Sequence, residues 1–171
     1  DTQQCEIAWA VEVDWGAVSV RSSLKYGLFF VHGWTGKEDT FDNFYSFAVN
    51  DSFPIYKPNN FGEGILTLKQ TALDLVKEII STTAYSSTDQ VFVVAHSRGG
   101  LFTRAALRTY PDLASKIAGY ITLSTPHHGV DFADRISFAK CVGTDDYEAC
   151  KIAARSFRKD AMRRFNYGNN C

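Results

Sequence analysis

The sequence predicts one α/β domain built on a parallel sheet, and three observations lead to that prediction. Short apolar runs that stop at glycine or polar residues alternate with amphipathic stretches at helical spacing. The chain has 171 residues, about the size of one domain, so we expect a single domain over residues 1–171. It contains no internal repeat and no tract that would mark a linker. Strands and helices in this alternation imply a parallel sheet with helices on both faces.

The first half of the chain contains two predicted strands and one predicted helix. An apolar run over 26–33 ends on glycine, as a strand buried on both faces does. Residues 53–58 form a weaker strand, and residues 1–25 are expected to add one or two strands at the sheet edge. Over 65–80, apolar residues recur at steps of three and four while charged residues face elsewhere, which predicts an amphipathic helix.

The second half continues the alternation. After a loop over 81–90, the predicted elements are a strand over 91–95, a helix over 101–110, a strand over 117–123, and polar helical segments over 131–139 and 148–165. Pro111 ends the first of these helices because proline cannot continue the hydrogen-bond ladder.

Composition excludes several classes of protein. Hydrophobic residues make up 45% of the chain, and 13 Phe, 8 Tyr and 3 Trp are too many for a disordered polypeptide. The 18 basic and 19 acidic side chains nearly cancel, which argues against a nucleic-acid partner. No apolar run approaches the roughly 20 residues that cross a bilayer, so we expect no transmembrane segment.

The cysteines and the first residue bear on the compartment. Cys5, Cys141, Cys150 and Cys171 form an even set with no C-x-x-C pair and no zinc spacing. Residue 1 is aspartate, and no leader pattern follows it, which fits a mature protein whose leader has been removed. We therefore expect a secreted or otherwise extracytoplasmic protein, the alternative being a cytosolic chain with four thiols. Cys141 and Cys150 are expected to close a small disulfide loop.

A serine lies where a predicted strand meets a predicted helix. Ser97 follows the strand over 91–95. Ala95 lies two residues before it and Gly99 two residues after it. A nucleophile elbow needs this context, because its sharp turn leaves room only for small residues there. The helix that follows also directs its first N–H groups at the serine, where they favour developing negative charge. The alternative interpretation is a serine that only fills a tight turn.

Two further loops are expected beside this serine. His32-Gly33-Trp34-Thr35-Gly36 ends the strand over 26–33, and its glycines let the backbone approach a substrate closely. Ser124-Thr125-Pro126-His127-His128-Gly129 ends the strand over 117–123. Both loops leave the carboxyl edge of the sheet, where α/β proteins place their sites.

Together these three motifs resemble the α/β-hydrolase family, and within it the secreted lipases and esterases. The resemblance covers about residues 26–135 and implies a parallel, three-layer α/β-hydrolase core. It makes Ser97 the nucleophile, and it makes the backbone N–H groups of Trp34 and Arg98 the oxyanion hole. Ala95 stands where the family more often has glycine, but alanine is still a small residue. His32 and His96 are expected to hold their loops by hydrogen bonds.

The segment after the serine departs from the family pattern. The family places an Asp or Glu and then a His after the nucleophile. Here the only histidines after Ser97 are His127 and His128. In the lipase pattern this pair belongs to the loop after the strand over 117–123, and it is not part of the triad. We therefore expect a core without its last strands, a lid-like segment over 130–171, and an acid and a base supplied by a further segment or a second polypeptide. Cys5 or Cys171 would tether that segment, and His128 acting as the base is the rival interpretation.

The basic residues around the site have two interpretations each. The Arg98 side chain is expected to be solvated, the alternative being recognition of an anionic head group. The basic run at positions 155, 158, 159, 163 and 164 is expected to be a solvated helix face, the alternative being orientation at an anionic interface. His127 and His128 lack a third ligand, so no metal is expected.

The leading function is a serine carboxylic-ester hydrolase that acts on lipid or small acyl esters through an acyl-enzyme at Ser97. It needs no metal or organic cofactor. One alternative is a non-catalytic binding chain that kept the fold and lost the triad. Another is an acyltransferase or thioesterase that uses the same elbow.

Overall fold

A computed structural model describes residues 24–34, 36, 38–42, 54–58, 68–86, 88–131, 133, 141 and 147–167. Its strands are β1 (Tyr26–Val31), β2 (Ile55–Tyr56), β3 (Gln90–His96) and β4 (Ile117–Leu123). Its helices are α1 (Leu68–Tyr85), α2 (Arg98–Thr109), α3 (Tyr147–Arg155) and α4 (Lys159–Tyr167), with 3-10 helices at Glu38–Phe41 and Pro111–Lys116. The strands expected over 1–25 and most of the helix expected over 131–139 lie outside the described residues.

The four strands form one parallel sheet in the order β2-β1-β3-β4, which confirms the predicted α/β fold. In the register of the central strands, Val31 pairs with Ala95, and His96 pairs with Leu123. The chain therefore leaves β1, β3 and β4 at the same edge of the sheet. The three loops that the sequence singles out begin side by side at that edge.

The main core lies between one face of the sheet and helices α1 and α2. Sheet residues such as Phe29, Val31 and Val93 pack against Leu75 of α1 and Phe102 of α2, and all five side chains are buried. Alternation along β1 and β3 sends their other residues to the opposite face. There Phe30 and Val94 pack against Phe41 of the first 3-10 helix, with the Phe30 and Phe41 rings 5.0 Å apart.

Helix α1 extends beyond its predicted end. The sequence predicts a loop from Ser81 to Gln90, whereas the structure continues the helix to Tyr85. The hydroxyl of Thr83 donates to the carbonyl oxygen of Ile79 at 3.0 Å. The side chain thus hydrogen-bonds to its own helix, at a position where the sequence predicts a loop.

The last helical segment is divided in two, where the sequence predicts continuous helix over 148–165. The turn between α3 and α4 contacts the loop after β4, because the N–H of Val130 donates to the carbonyl oxygen of Phe157 at 2.8 Å. Gly129 has a φ of 80° and lies so close to α4 that an added Cβ would be 2.7 Å from the Lys159 nitrogen. These contacts join the segment to the sheet edge that carries the three loops.

A disulfide links Cys141 to Cys150 of α3, with their Cα atoms 5.6 Å apart, and both residues are buried. Cys5 and Cys171 lie outside the described residues. Within the described ranges, no helix combines the length and the apolar character needed to span a bilayer.

Candidate active site

Ser97 occupies a sharp turn between β3 and α2. Its φ of 53° and ψ of -122° lie in a region that L residues other than glycine adopt rarely and at a cost. The backbone N–H of Ser97 donates to the carbonyl oxygen of Leu123 at 2.8 Å, which fixes the turn to the neighbouring strand. Its side chain makes no capping bond to α2, so the hydroxyl is not used to start the helix.

The small residues around Ser97 fit the close packing of this turn. Ala95 is fully buried in β3. At Gly99, an added Cβ would lie 2.5 Å from the carbonyl oxygen of Val31 and 2.7 Å from that of His32. Backbone atoms cannot give way as a flexible side chain can, so this position excludes any larger residue.

The loop after β1 lies directly against the serine. A Cβ added at Gly33 would be 2.8 Å from the Ser97 Cβ and 3.3 Å from its Oγ. Trp34 is the next residue, and the N–H of Arg98 belongs to the first turn of α2, whose N–H groups have no partner within the helix. Gly33, which precedes Trp34, therefore lies against Ser97, which precedes Arg98. His32 is buried, and its Nδ1 donates to the carbonyl oxygen of Gly33 at 3.0 Å, so it braces this loop.

The side chain of Arg98 corrects one expectation. The sequence predicts a solvated arginine, whereas Arg98 is 1% exposed. Its Nε donates to the hydroxyl of Ser156 at 3.3 Å, in the turn between α3 and α4 that covers it. Burial lowers the pKa of this guanidinium to about 10, so it stays charged at neutral pH. Arg98 therefore links the start of α2 to the α3–α4 turn.

That turn also contacts the loop after β1. The ring of Phe157 packs against Trp34, with 5.6 Å between the ring centroids. Both rings join an apolar cluster with Leu101 of α2 and Met162 of α4. The α3–α4 turn therefore contacts both Trp34 of the loop after β1 and Arg98, the residue that follows Ser97.

His127 is held in a polar network that involves both of its ring nitrogens. Arg104 of α2 donates to Nδ1 at 3.1 Å, so the ring proton resides on Nε2, which faces the hydroxyl of Thr122 at 3.3 Å. Arg104 also donates to the side-chain oxygen of Asn166 at 2.6 Å, and Asn166 donates to the carbonyl oxygen of His127 at 2.9 Å. Burial, then the charge of Arg104, then His128, lower the pKa of His127. His127 is thus a neutral structural residue here.

The remaining histidines are placed differently. His128 is exposed on the loop after β4. His96 ends β3, and its ring makes an edge contact with Phe41 at 6.4 Å between centroids. Among the side chains that the structure describes, no three histidine, cysteine or acidic residues are grouped so that they could hold a metal ion.

Comparisons with known proteins connect this geometry to one family and to several lipases. A profile of the palmitoyl protein thioesterase family matches residues 29–169. The triacylglycerol lipase of Burkholderia plantarii is 28% identical over 129 residues, which are 69% of this chain and 34% of that enzyme. The chain thus spans about a third of the length of this curated relative.

Solved structures share the fold. The mature lipase BlEst2 of Bacillus licheniformis matches with a TM-score of 0.67 and 21% identity, over 85% of this chain and 59% of that one. The phospholipase PlaB of Legionella pneumophila, in complex with thio-NAD, matches with a TM-score of 0.60 and 18% identity, over 84% of this chain and 34% of that one. These likenesses place the parallel sheet and its helices within the fold of such hydrolases.

Proposed function

Because the chain belongs to the palmitoyl protein thioesterase family, a group of α/β-hydrolases, we propose that it is a serine hydrolase of carboxylic esters with Ser97 as its nucleophile. One observation carries the proposal. Ser97 stands at a strained strand-to-helix turn, with the loop after β1 in contact with its side chain. A strained turn that leaves the hydroxyl out of helix capping is retained where the strain serves function.

The proposed reaction is acyl transfer in two steps. The Ser97 oxygen attacks the acyl carbonyl while a base takes its proton, and the N–H groups of Trp34 and Arg98 hold the tetrahedral oxyanion. The leaving alcohol departs with that proton, and the acyl group stays on Ser97. Water then attacks the acyl-enzyme and the base takes a proton from the water. The bond to the Ser97 oxygen breaks, the carboxylic acid leaves, and the base returns the proton to the Ser97 oxygen.

The base and its acid partner are proposed to come from a further segment or a second polypeptide. The structural support is the state of His127, whose two ring nitrogens already face Arg104 and Thr122. An imidazole committed in this way has no free nitrogen to take the serine proton. Intact mass analysis of the purified protein tests this part of the proposal. A single 19.1 kDa species that is fully active and loses activity on His128→Ala would overturn it.

Two classes of substrate are supported by different relatives. The lipase relatives favour lipid or small acyl esters, whereas the family profile favours an acyl thioester. The elbow serves both, because the same attack releases an alcohol from an ester and a thiol from a thioester. The specificity constants for a p-nitrophenyl ester and for an acyl thioester of equal chain length, measured side by side, decide between them. Adding an alcohol acceptor detects an acyltransferase.

The test of the mechanism is covalent labelling. The intact protein, with any chain that copurifies with it, is treated with a fluorophosphonate, and the modified peptide is mapped. We expect the label on Ser97 and no label in the Ser97→Ala variant. If the protein neither reacts with the probe nor hydrolyses esters, the proposal is wrong and the non-catalytic binding chain takes its place.

A further inference from the structure

Positive charge is concentrated in one short part of the chain. Residues 155–164 hold five of the 18 basic residues and a single acid, Asp160, whereas the whole chain has a net charge of -1. We call this set the basic ridge: Arg155, Arg158, Lys159, Arg163 and Arg164. The rest of the molecule is correspondingly acidic, so the protein is electrically polarised.

Four of the five side chains of the basic ridge are exposed, and Arg158 is half-buried. On α4, Lys159, Arg163 and Arg164 are exposed, and Tyr167 continues the same face with 61% of its surface exposed. The opposite side of the helix carries Met162, which is 1% exposed and packs in the apolar cluster. The helix is therefore held by its apolar side, and its charged side is left for contact with something outside the chain.

Ion pairs with neighbouring acids neutralise the basic ridge only in part. Asp160 is shared between Arg158 at 3.1 Å and Arg164 at 2.9 Å, and Lys159 pairs with Asp131. Among the described residues, none forms an ion pair with Arg155 or Arg163. Exposed ion pairs stabilise a fold little, so the clustering of five cations is not explained by stability.

The basic ridge adjoins the candidate active site. It begins at the α3–α4 turn, where Ser156 accepts a hydrogen bond from Arg98 and where Phe157 packs on Trp34. Arg98 follows Ser97, and Trp34 lies on the loop that contacts it. A surface bound by the ridge is therefore held close to the proposed nucleophile.

We propose that the basic ridge docks the protein on an anionic phospholipid bilayer, with the site of Ser97 held at the membrane surface. This inference rests on the proposed function, since an acyl-ester hydrolase finds such substrates in a bilayer. Clustered Lys and Arg side chains are attracted to anionic head groups. Tyr167 adds an aromatic ring with a polar end, which favours the boundary between head groups and water. The near-neutral chain as a whole fits this local contact better than the extended contacts of a nucleic-acid binder.

The test measures binding of the intact protein to vesicles. One set is phosphatidylcholine alone, and the other contains about a third phosphatidylglycerol, a content that gives a negative surface potential. We expect binding to the anionic vesicles only, with loss of binding between about 0.05 M and about 0.5 M NaCl as screening shortens the range of the attraction. Equal binding to both vesicles would overturn the proposal.

Paired variants locate the contact. Arg155→Gln with Arg163→Gln removes the two cations that have no described ion-pair partner, and we expect about thirtyfold weaker binding to the anionic vesicles. The matched control removes two exposed cations of α1, through Lys69→Gln with Lys77→Gln, and should bind as the parent does. Arg155→Lys with Arg163→Lys keeps the charge and should keep the binding. Parental binding by the first pair would contradict the proposal.

Two further measurements separate docking from catalysis. Ser97→Ala should bind vesicles as the parent does, and the Arg155 and Arg163 double variant should hydrolyse a water-soluble ester at the parental rate. Vesicle binding without any hydrolysis would reject the proposed function and leave the docking intact. Tighter binding to heparin or to DNA than to anionic vesicles would assign the ridge to a soluble polyanion and reject the membrane.

Discussion

The backbone N–H of Ser97 donates to the carbonyl oxygen of Leu123 at 2.8 Å, so the turn after β3 is fixed to the last residue of β4. The residue that follows Leu123 is Ser124, and it too has a positive φ, of 50°. Two serines in left-handed backbone conformations thus stand at neighbouring points of one sheet edge. Only Ser97 precedes a helix that directs N–H groups at it.

This pair supplies a matched test of the nucleophile. Ser97→Ala is expected to lower the rate of ester hydrolysis by about 10⁴-fold or more, because it removes the atom that attacks the carbonyl. Ser124→Ala makes the same chemical change at a residue with a similar φ and should keep the parental rate. Initial rates of p-nitrophenyl ester hydrolysis by the two variants measure the difference, and circular dichroism confirms that both are folded. A Ser97→Ala variant as fast as the parent would remove Ser97 from the mechanism.

Gly99→Ala is expected to destabilise the fold strongly. The new Cβ would meet the carbonyl oxygens of Val31 and His32 at 2.5 and 2.7 Å, so β1 or α2 must move. We expect a loss of about 2 to 3 kcal/mol in the free energy of unfolding. In Gly119→Ala, the control, the Cβ meets only the ring of Phe92 at 2.8 Å, and a side chain moves more easily. Urea unfolding of both variants gives the comparison, and equal losses would count against the close approach at Gly99.

The disulfide between Cys141 and Cys150 should stabilise the segment that carries α3. Closing a loop with a sequence separation of 9 removes unfolded-state entropy worth about 2 to 3 kcal/mol in the chain model. Replacing both cysteines by alanine should lower the free energy of unfolding by that amount. Peptide mapping without reduction checks the pairing, and free thiols at both positions in the parent would refute it.

The polar network of His127 should make stability depend on pH. The pKa of His127 is lowered in the folded state from its ordinary value of 6.5, first by burial and then by Arg104. The unfolded chain therefore takes up the proton more readily. The contribution of neutral His127 is complete above pH 6.5 and is lost as the pH falls through its lowered folded pKa.

Removing the titrating ring should flatten that dependence. We expect His127→Gln to lose less stability than the parent between about pH 7 and about pH 5, because the amide does not titrate. His128→Gln removes only the last of the three causes that lower the pKa of His127, so it should depart from the parent curve less than His127→Gln does. Thermal unfolding across this range measures the effect. Identical slopes for the parent and His127→Gln would show that His127 does not couple to folding.

Local sequence was sufficient to predict the elbow but not its surroundings. The strand through Val94 and the turn at Ser97 show a pattern that is readable in the chain, whereas α2 begins at Arg98, three residues before the predicted start. The burial of Arg98 depends on Ser156, 58 residues away, and no periodicity reports such a contact. A rule that arginines are solvated therefore fails at this position.

The helix boundaries likewise divide into those that local sequence predicts and those that depend on other contacts. The apolar spacing up to Ile79 predicted most of α1, but its last turns depend on a threonine hydroxyl that bonds back to the helix. The break between α3 and α4 depends on Val130 and Gly129, which approach from the loop after β4. The prediction failed where a distant or side-chain partner decided the backbone.

The network of Arg104, His127 and Asn166 has a consequence for recombining this chain with its relatives. The three residues come from α2, from the loop after β4 and from α4, and a hydrogen bond joins each pair of them. A chimera whose crossover points separate these segments leaves the Arg104 guanidinium facing foreign side chains. Exchangeable blocks in this fold should therefore carry all three segments from one parent, and libraries built from shorter blocks should yield few folded members.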